Sequence, residues 1–190
     1  MAWKFPPENR ARLESAERLE LLPVDRLLTL ARVRRGERVL DVGCGTGVMT
    51  LPLARAVGGA GRVHAIDLHD EMLEEARRRA AESGLSNIEF ALSEESVFPI
   101  ADGAVDLVFA SQILHELHDP PAFLAENRRV LAPGGRLAVF DWEKIETGIG
   151  PPLDHRIDSA EARSWLETAG FDVIEAASVS WANYAFLARP

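Results

Sequence analysis

The segment 38–55, RVLDVGCGTGVMTLPLAR, constrains the fold more than any other part of the chain. A short apolar run leads into Gly43, Gly45 and Gly47, and the apolar residues that follow recur with helical spacing. This pattern predicts a buried strand that turns sharply through glycines into a helix. The turn leaves bare backbone beside the positive end of a helix dipole, an arrangement that suits an adenosine-bearing ligand.

Strand and helix patterns alternate along the rest of the chain. The periodicity predicts an N-terminal helical region over roughly 10–34, strands at 37–42, 61–67, 87–92, 105–111, 136–142, 172–178 and 183–189, and helices at 46–56, 69–84, 120–131 and 159–169. Strands separated by helices predict βαβ units and a parallel sheet. We therefore predict an α/β three-layer sandwich: a seven-stranded, mostly parallel sheet with an antiparallel last strand, helices on both faces and an N-terminal helical cap.

Composition narrows the class of protein. The 190 residues predict one domain, and a net charge of −9 argues against a nucleic-acid partner, which would require basic surfaces. Cys44 is the only cysteine, so neither an internal disulfide nor a cysteine-built metal site is expected, and a cytoplasmic location is the default. No apolar run reaches the roughly 18 residues of a membrane span, and the first residues lack the pattern of a secretory signal.

The glycine spacing distinguishes between adenosine ligands. The dinucleotide fingerprint G-x-G-x-x-G would need a third glycine where this chain has Val48. Asp67 ends the second predicted strand, 20 residues after Gly47, where a carboxylate can accept hydrogen bonds from both ribose hydroxyls. A NAD-dependent oxidoreductase is therefore the less favoured alternative.

Four segments together resemble the class I S-adenosylmethionine (SAM)-dependent methyltransferases. They are VLDVGCGTG, AIDLHDEML, PIADGAVDLVFASQILHEL and RRVLAPGGRLAVFDW, in the family's order over roughly residues 36–142. The tail GPPLDHRIDSAEARSWLETAGFDVIE is similar to the type 11, UbiE-like branch, which methylates quinones, sterols and other metabolites. The resemblance implies a single methyltransferase domain over 1–190, with a helical cap at 1–35, a cofactor-binding core at 36–142 and a C-terminal helix and strands at 143–190.

The resemblance also implies which residues bind SAM. Asp67 would bind the ribose, Leu68 would lie against the adenine, and Asp41 would hold the methionine part or cap the glycine turn. An acidic residue after the third strand reaches the adenine amino group in the family; Glu94 is preferred here over Glu95. The other implied cofactor-binding residues, at the glycine turn, in the helix after Asp67 and at the end of the fourth strand, are Gly43, Cys44, Gly45, Met72, Ala110 and Ser111.

The segment HELHD supplies the candidate for catalysis. His115 follows the fourth strand, where the family borders its substrate pocket, and our hypothesis is a general base; otherwise it caps the next helix. The two histidines are three positions apart, not four as in H-E-x-x-H, so no metal is predicted. DPPA at 119–122 lacks the aromatic residue with which base methylators stack on a flipped base.

Residues near both ends of the chain are expected to complete the site. Trp142, His155 and Arg156 are predicted to form the substrate wall; the arginine suits an anionic acceptor, although a surface salt bridge would explain it equally. Trp3 and Phe5 would pack on the domain or cover the pocket.

Together these features predict methyl transfer from SAM to a small-molecule acceptor by in-line displacement, with S-adenosylhomocysteine (SAH) as the product and no metal. A SAM-binding module without turnover would carry the same cofactor motifs and is the alternative from a non-enzyme class. The acceptor and the oligomeric state are not encoded in any motif.

Overall fold

A seven-stranded sheet forms the middle layer of the computed structural model, which describes residues 4–190 apart from the side chain of Pro7. The strands are β1 (Arg38–Val42), β2 (Arg62–Asp67), β3 (Ile88–Leu92), β4 (Val105–Ser111), β5 (Leu131–Trp142), β6 (Asp172–Ser178) and β7 (Asn183–Arg189). Their order is β3-β2-β1-β4-β5-β7-β6, and only β7 runs antiparallel to its neighbours. The predicted α/β fold is confirmed.

Helices cover both faces of the sheet. They are α1 (Ala16–Leu21), α2 (Val24–Leu30), α3 (Thr50–Val57), α4 (Asp70–Glu82), α5 (Pro120–Val130) and α6 (Ser159–Thr168). Buried residues of α2, α3 and α4 pack on one face, and those of α5 and α6 on the other. Among the residues described, no helix combines the length and hydropathy needed to cross a membrane.

The strand order creates the crevice in which a ligand can bind. β1 lies in the centre of the sheet between β2 and β4, and the chain builds outward from these strands in opposite directions. The loops after β1 and β4 therefore leave toward opposite faces of the sheet. In open α/β sheets the carboxyl ends of such strands enclose the binding site.

The helix after the glycine turn begins at Thr50, four residues later than predicted. Gly43, Gly45 and Gly47 all have positive φ angles, of 65°, 52° and 83°. A right-handed helix needs negative φ, so these residues form turns that the apolar spacing alone does not reveal.

The N-terminal helical region is broken into three short pieces. A 3-10 helix at Pro7–Glu14 precedes α1, whose first turn is capped by the Ser15 hydroxyl accepting the Arg18 N–H at 3.3 Å. Pro23 then separates α1 from α2. Proline and a capping serine each end one helix and begin the next, which explains why continuous helical periodicity overestimated the helix length.

A buried ion pair ties the N-terminal segment to the sheet. Both guanidinium Nη atoms of Arg136 on β5 bond the Glu37 carboxylate, at 2.8 and 2.9 Å, and the Arg136 side chain is only 6% exposed. The same guanidinium donates to the carbonyls of Ala31 and Arg32, just after α2. Its charge is therefore fully engaged by the protein.

We expect Glu37→Gln to lower the free energy of unfolding by about 3–5 kcal/mol, because it leaves the Arg136 charge buried without a counter-ion. Urea denaturation measures this loss. Glu167→Gln, which breaks the exposed pair with Arg163, is the matched control and should cost less than about 1 kcal/mol. Equal losses for the two variants would contradict this account.

Candidate active site

A cavity of about 830 Å³ lies at the carboxyl ends of β1, β2, β4 and β5. Asp41, Asp67, Ser111 and Trp142 reach it from these four strands. The 3-10 helix and α1 cover one side, and the loop at 146–153 covers another. This volume lies in the range of about 300–1,000 Å³ that is usual for small-molecule sites.

The glycine turn forms one wall of the cavity and also packs against protein side chains. A Cβ at Gly43 would collide with Ile113, and one at Gly45 would lie 3.2 Å from a methyl carbon of Leu13. The glycines are therefore required by backbone conformation and by packing, in addition to any approach of a ligand.

Asp67 connects the end of β2 to the glycine turn. One carboxylate oxygen accepts the Gly45 N–H at 2.8 Å and the other accepts the His69 N–H at 3.0 Å. Burial raises the pKa of Asp67, and these two backbone donors act in the opposite direction. The carboxylate lies on the cavity wall, where its remaining lone pairs can accept hydrogen bonds from a ligand.

Asp41 lies deeper, at the end of β1. Its carboxyl is 2% exposed and accepts a hydrogen bond from the Thr50 hydroxyl at 2.6 Å. Burial raises the pKa of Asp41 to about 7, against the lowering effect of Thr50, and the nearby Asp67 charge raises it further. A cationic ligand group beside Asp41 would favour its ionised form.

A histidine–aspartate pair lies at the β4–β5 side of the cavity. The Nδ1 atom of His115 is 2.7 Å from an Asp141 carboxylate oxygen, and both side chains are buried. Asp141 also accepts the backbone N–H groups of Leu114 and Trp142, at 2.8 and 2.7 Å. These bonds fix the ring orientation and favour the tautomer with the proton on Nδ1, in which Nε2 carries the lone pair.

Glu116 flanks the same imidazole ring. Its carboxylate lies 3.7 Å from Nε2 of His115 and accepts the backbone N–H of Phe5. Burial raises the pKa of Glu116, and His115 has the opposite effect when its ring is protonated. The N-terminal segment is thus attached directly beside the histidine.

Arg18 brings a cation into the cavity from α1. Its guanidinium donates to the Leu13 carbonyl at 2.8 Å, and no carboxylate in residues 4–190 lies within ion-pair distance of it. Burial lowers the pKa of Arg18 to about 10, with the charge of Asp141 acting in the opposite direction. A half-buried cation of this kind can bind an anionic ligand group.

Comparison with known proteins identifies the family. A family model described as a methyltransferase domain matches residues 39–135, just over half of the chain. The chain belongs to this family. The predicted class, the type 11 branch of the class I SAM-dependent methyltransferases, is confirmed.

Individual relatives agree with the family. A SAM-dependent methyltransferase of known structure from Aquifex aeolicus is 36% identical, with a TM-score of 0.93 over 97% of this chain and 98% of that chain. The ubiquinone/menaquinone biosynthesis C-methyltransferase UbiE of Teredinibacter turnerae is 36% identical over 64% of this chain and 49% of its own length. Aklanonic acid methyltransferase DauC from Streptomyces sp. (strain C5) is 40% identical over 60% of this chain and 51% of its own length. This chain therefore matches about half the length of these two curated relatives.

Most of the predicted cofactor-binding residues of this methyltransferase line the one cavity. They are Asp41, Gly43, Cys44, Gly45, Asp67, Leu68, Met72 and Ser111. Cys44 is buried, and burial raises the pKa of its thiol well above the usual value, so it stays protonated near neutral pH. The side chain of Ala110 packs in the core below the cavity.

The structure places neither Glu94 nor Glu95 in the cavity wall, contrary to our expectation of an adenine contact. Glu95 forms an ion pair with Lys4 at 2.6 Å and accepts the backbone N–H groups of His118 and Asp119. Glu94 is exposed on the loop after β3. The Glu95 carboxylate therefore links the N-terminal segment to the loop before α5, at a distance from the cavity.

The predicted substrate wall is also only partly realised. Trp142 and Arg156 line the cavity, but His155 does not. The Arg156 guanidinium donates to the carbonyls of Pro151, Ile145 and Ile149, and it stacks over Trp142 at 5.0 Å. It therefore organises the loop that covers the cavity, and the alternative explanation, a surface salt bridge, is not found in the part of the chain described here. Phe5 lines the cavity, and Trp3 lies outside the described residues.

Sequence reasoning missed Arg18, Gln112, Glu116 and Asp141. Asp141 lies next to the last residue of a predicted strand. Position at a strand end, which identified Asp67, could therefore have identified Asp141 as well. Glu116 lies beside His115 in the same short motif. Arg18 gives no local signal, because only tertiary packing brings α1 to the mouth of the cavity. In the described chain, no group of three His, Cys, Asp or Glu side chains is placed to hold a metal ion.

The raised pKa of Asp41 predicts a pH-dependent stability. Between about pH 4 and pH 7 the folded protein keeps this proton while the unfolded chain loses it, so the free energy of unfolding falls as the pH rises. Asp41→Asn should remove this pH-dependent contribution to the free energy of unfolding. We expect the variant to match the wild type near pH 4 and to be more stable at pH 8, by at most on the order of 4 kcal/mol.

Denaturant unfolding at several pH values measures the difference. The control is Asp172→Asn, which changes an exposed carboxylate at the start of β6 and should leave the profile unaltered. A constant difference between Asp41→Asn and the wild type across this pH range would contradict the assignment.

Proposed function

We propose that this protein transfers a methyl group from SAM to a small-molecule acceptor. The observation that carries the proposal is the single cavity in which Asp67 and the glycine turn, joined by a hydrogen bond, face the His115–Asp141 pair. One half of this cavity suits an adenosine-bearing cofactor and the other suits a reacting partner. The half that contains the His115–Asp141 pair would have no role in a module that only binds the cofactor, so its presence favours an enzyme.

The residues of the β1–β2 half fit the charges of SAM. Asp67 offers lone pairs for the ribose hydroxyls, and Leu68 and Met72 offer an apolar surface for the adenine. Asp41 suits the ammonium group of the methionine part, and Arg18, which forms no ion pair within residues 4–190, suits its carboxylate. The opposite charges of the cofactor would compensate a buried carboxyl and a half-buried guanidinium that have no charged partner among the described residues.

When bound, SAM supplies a methyl group that its sulfonium already activates, so the reaction requires neither a protein nucleophile nor a metal. The protein has to hold the acceptor in line and exclude water, which can account for about 7–11 kcal/mol of the barrier reduction. The N-terminal segment would exclude water from the cavity. Two ion pairs of 2.6 Å, Lys4–Glu95 and Arg79–Glu14, hold this segment over it.

His115 is the candidate general base. It would take the proton that the acceptor atom loses as that atom gains the methyl group. Asp141 would hold the ring in the reactive tautomer and stabilise the imidazolium, as aspartate does in other histidine pairs. A base is required only for acceptors whose proton has a high pKa.

The same proposal divides the chain into a cap at 1–35, a cofactor-binding core at 36–142 and a C-terminal helix and strands at 143–190. We also propose a cytoplasmic protein without a nucleic-acid partner. The net charge of −9 and the single buried cysteine support these assignments.

Cofactor binding is the first test. Asp67→Ala should raise the dissociation constant for SAH at least about tenfold in calorimetry, because it removes charge-assisted hydrogen bonds to the ribose. Asp67→Asn retains an acceptor oxygen for the glycine turn and separates ligand contact from local folding. Asp102→Ala, an exposed aspartate, is the control. Binding of NAD by the wild type, or unchanged SAH affinity in Asp67→Ala, would overturn the proposal.

Catalysis is tested by SAH release over a panel of phenols, carboxylic acids, amines and thiols. His115→Gln should lower kcat by about 10²–10⁴-fold on a protic acceptor while SAH affinity stays within about twofold. Asp141→Asn should also lower kcat and shift the ¹⁵N signals of His115 toward the other tautomer. His64→Gln, on β2, is the control. Unaltered kcat in His115→Gln would show that His115 is not the base, and no SAH release from any acceptor would favour a binding module.

A further inference from the structure

Gln112 is the one residue at the cavity with buried side-chain polar atoms that the described protein leaves entirely unsatisfied. It is the only glutamine in the sequence and follows Ser111 at the end of β4. The residue lines the cavity and is 7% exposed, and neither Nε2 nor Oε1 has a hydrogen-bond partner among the described residues. A buried amide without partners indicates that a ligand supplies its hydrogen-bond partners.

The backbone of Gln112, and not its amide, makes the hydrogen bond that attaches this loop to the sheet. The Gln112 N–H donates to the Phe140 carbonyl at 2.7 Å, and this bond holds the loop against β5 whatever the side chain is. The residue has a φ of 63°, a conformation that glycine or asparagine adopts more easily than glutamine. Glutamine is thus an unfavourable choice for both burial and backbone, and ligand recognition is the remaining reason for it.

The position of Gln112 favours the acceptor half of the cavity. Its backbone bond is to β5, and Trp142 and Asp141 lie at the end of that strand. His115 follows three residues later on the same loop. The glycine turn and Asp67, in contrast, belong to β1 and β2 on the other side of β4.

We propose that the Gln112 amide is a specificity determinant that binds the methyl acceptor. Because Nε2 donates and Oε1 accepts, the complementary ligand presents a hydrogen-bond acceptor beside a donor. Such ligands are amides and compounds with a hydroxyl next to a carbonyl or a carboxylate. The inference rests on the proposed methyl transfer and names the substrate class of that same site.

The first test needs no acceptor. Gln112→Met keeps the side-chain length and removes the unsatisfied amide, so the Tm of the free protein should rise by about 2–4 °C. Tyr184→Phe is the matched control, because its buried hydroxyl also lacks a partner in the described structure but lies away from the cavity. It should raise the Tm without affecting turnover. A lower Tm in Gln112→Met would show that the amide supports folding and would overturn the proposal.

The second test uses paired acceptors. 2-Hydroxybenzoate and 3-hydroxy-2-naphthoate carry a hydroxyl donor beside a carboxylate acceptor, whereas phenol and 2-naphthol carry the hydroxyl alone. With the wild type, we expect kcat/KM, measured by SAH release, to be at least about tenfold higher for 2-hydroxybenzoate than for phenol, and for 3-hydroxy-2-naphthoate than for 2-naphthol. Gln112→Met should remove this preference mainly by raising KM.

The affinity for SAH shows whether the Gln112 amide binds the methyl acceptor or the cofactor. If Gln112→Met weakens SAH binding about tenfold and leaves the acceptor KM unchanged, the amide serves the methionine end of the cofactor and the proposal fails. Equal kcat/KM within each pair, or turnover of neither pair, also overturns it. Absence of SAH binding by the wild type would instead refute the proposed function, and the Tm comparison would be unaffected.

Discussion

The hydrogen bond from the Gly45 N–H to the Asp67 carboxylate holds the cofactor half of the cavity together. It joins the turn after β1 to the end of β2, two segments 22 residues apart in sequence. The parallel register of the two strands, with Val42 opposite Ile66, brings these ends to one level. A carboxylate there stabilises the turn, and in our proposal it also accepts the ribose hydroxyls.

Charge is concentrated in this cavity and is incompletely compensated by the protein. Asp41 and Asp67 are buried carboxyls and Glu116 is a half-buried one, and the pKa values of all three are raised, mainly by burial. Arg18 is a cation whose pKa burial lowers. Such groups destabilise the free protein, so a ligand with complementary charges gains affinity by neutralising them. A zwitterionic amino-acid end carried by a cation is a ligand of that kind.

Sequence reasoning was strongest where local chemistry determines structure. Strand periodicity located β4, β6 and β7 at their observed bounds, and the glycine turn and Asp67 lie in the cavity as expected. It was weaker where proline and capping residues divide a helical pattern, as at Ser15 and Pro23. The extension of β5 back to Leu131 depends on a bulge opposite β4, which pairing with that strand decides.

In the candidate site too, local patterns identified side chains, but their partners depend on tertiary structure. For Glu95 the expected adenine contact is not formed, and for Arg156 the expected place at the cavity is correct but its partners were not predicted. Lys4 reaches Glu95 across 91 positions, and the loop over the cavity supplies carbonyls for Arg156. Asp141 and His115 meet only because β4 and β5 are neighbours in the sheet.

The sequence by itself determined the α/β class, the glycine turn, the carboxylates at the strand ends and the methyltransferase family, because periodicity and strand-end chemistry are local properties. Tertiary structure alone decided that Arg18 lines the cavity, that the Gln112 amide is buried without a partner within residues 4–190, and that Arg156 organises a loop. These outcomes depend on which distant backbone groups lie within hydrogen-bonding reach, and only the packed chain brings those groups together.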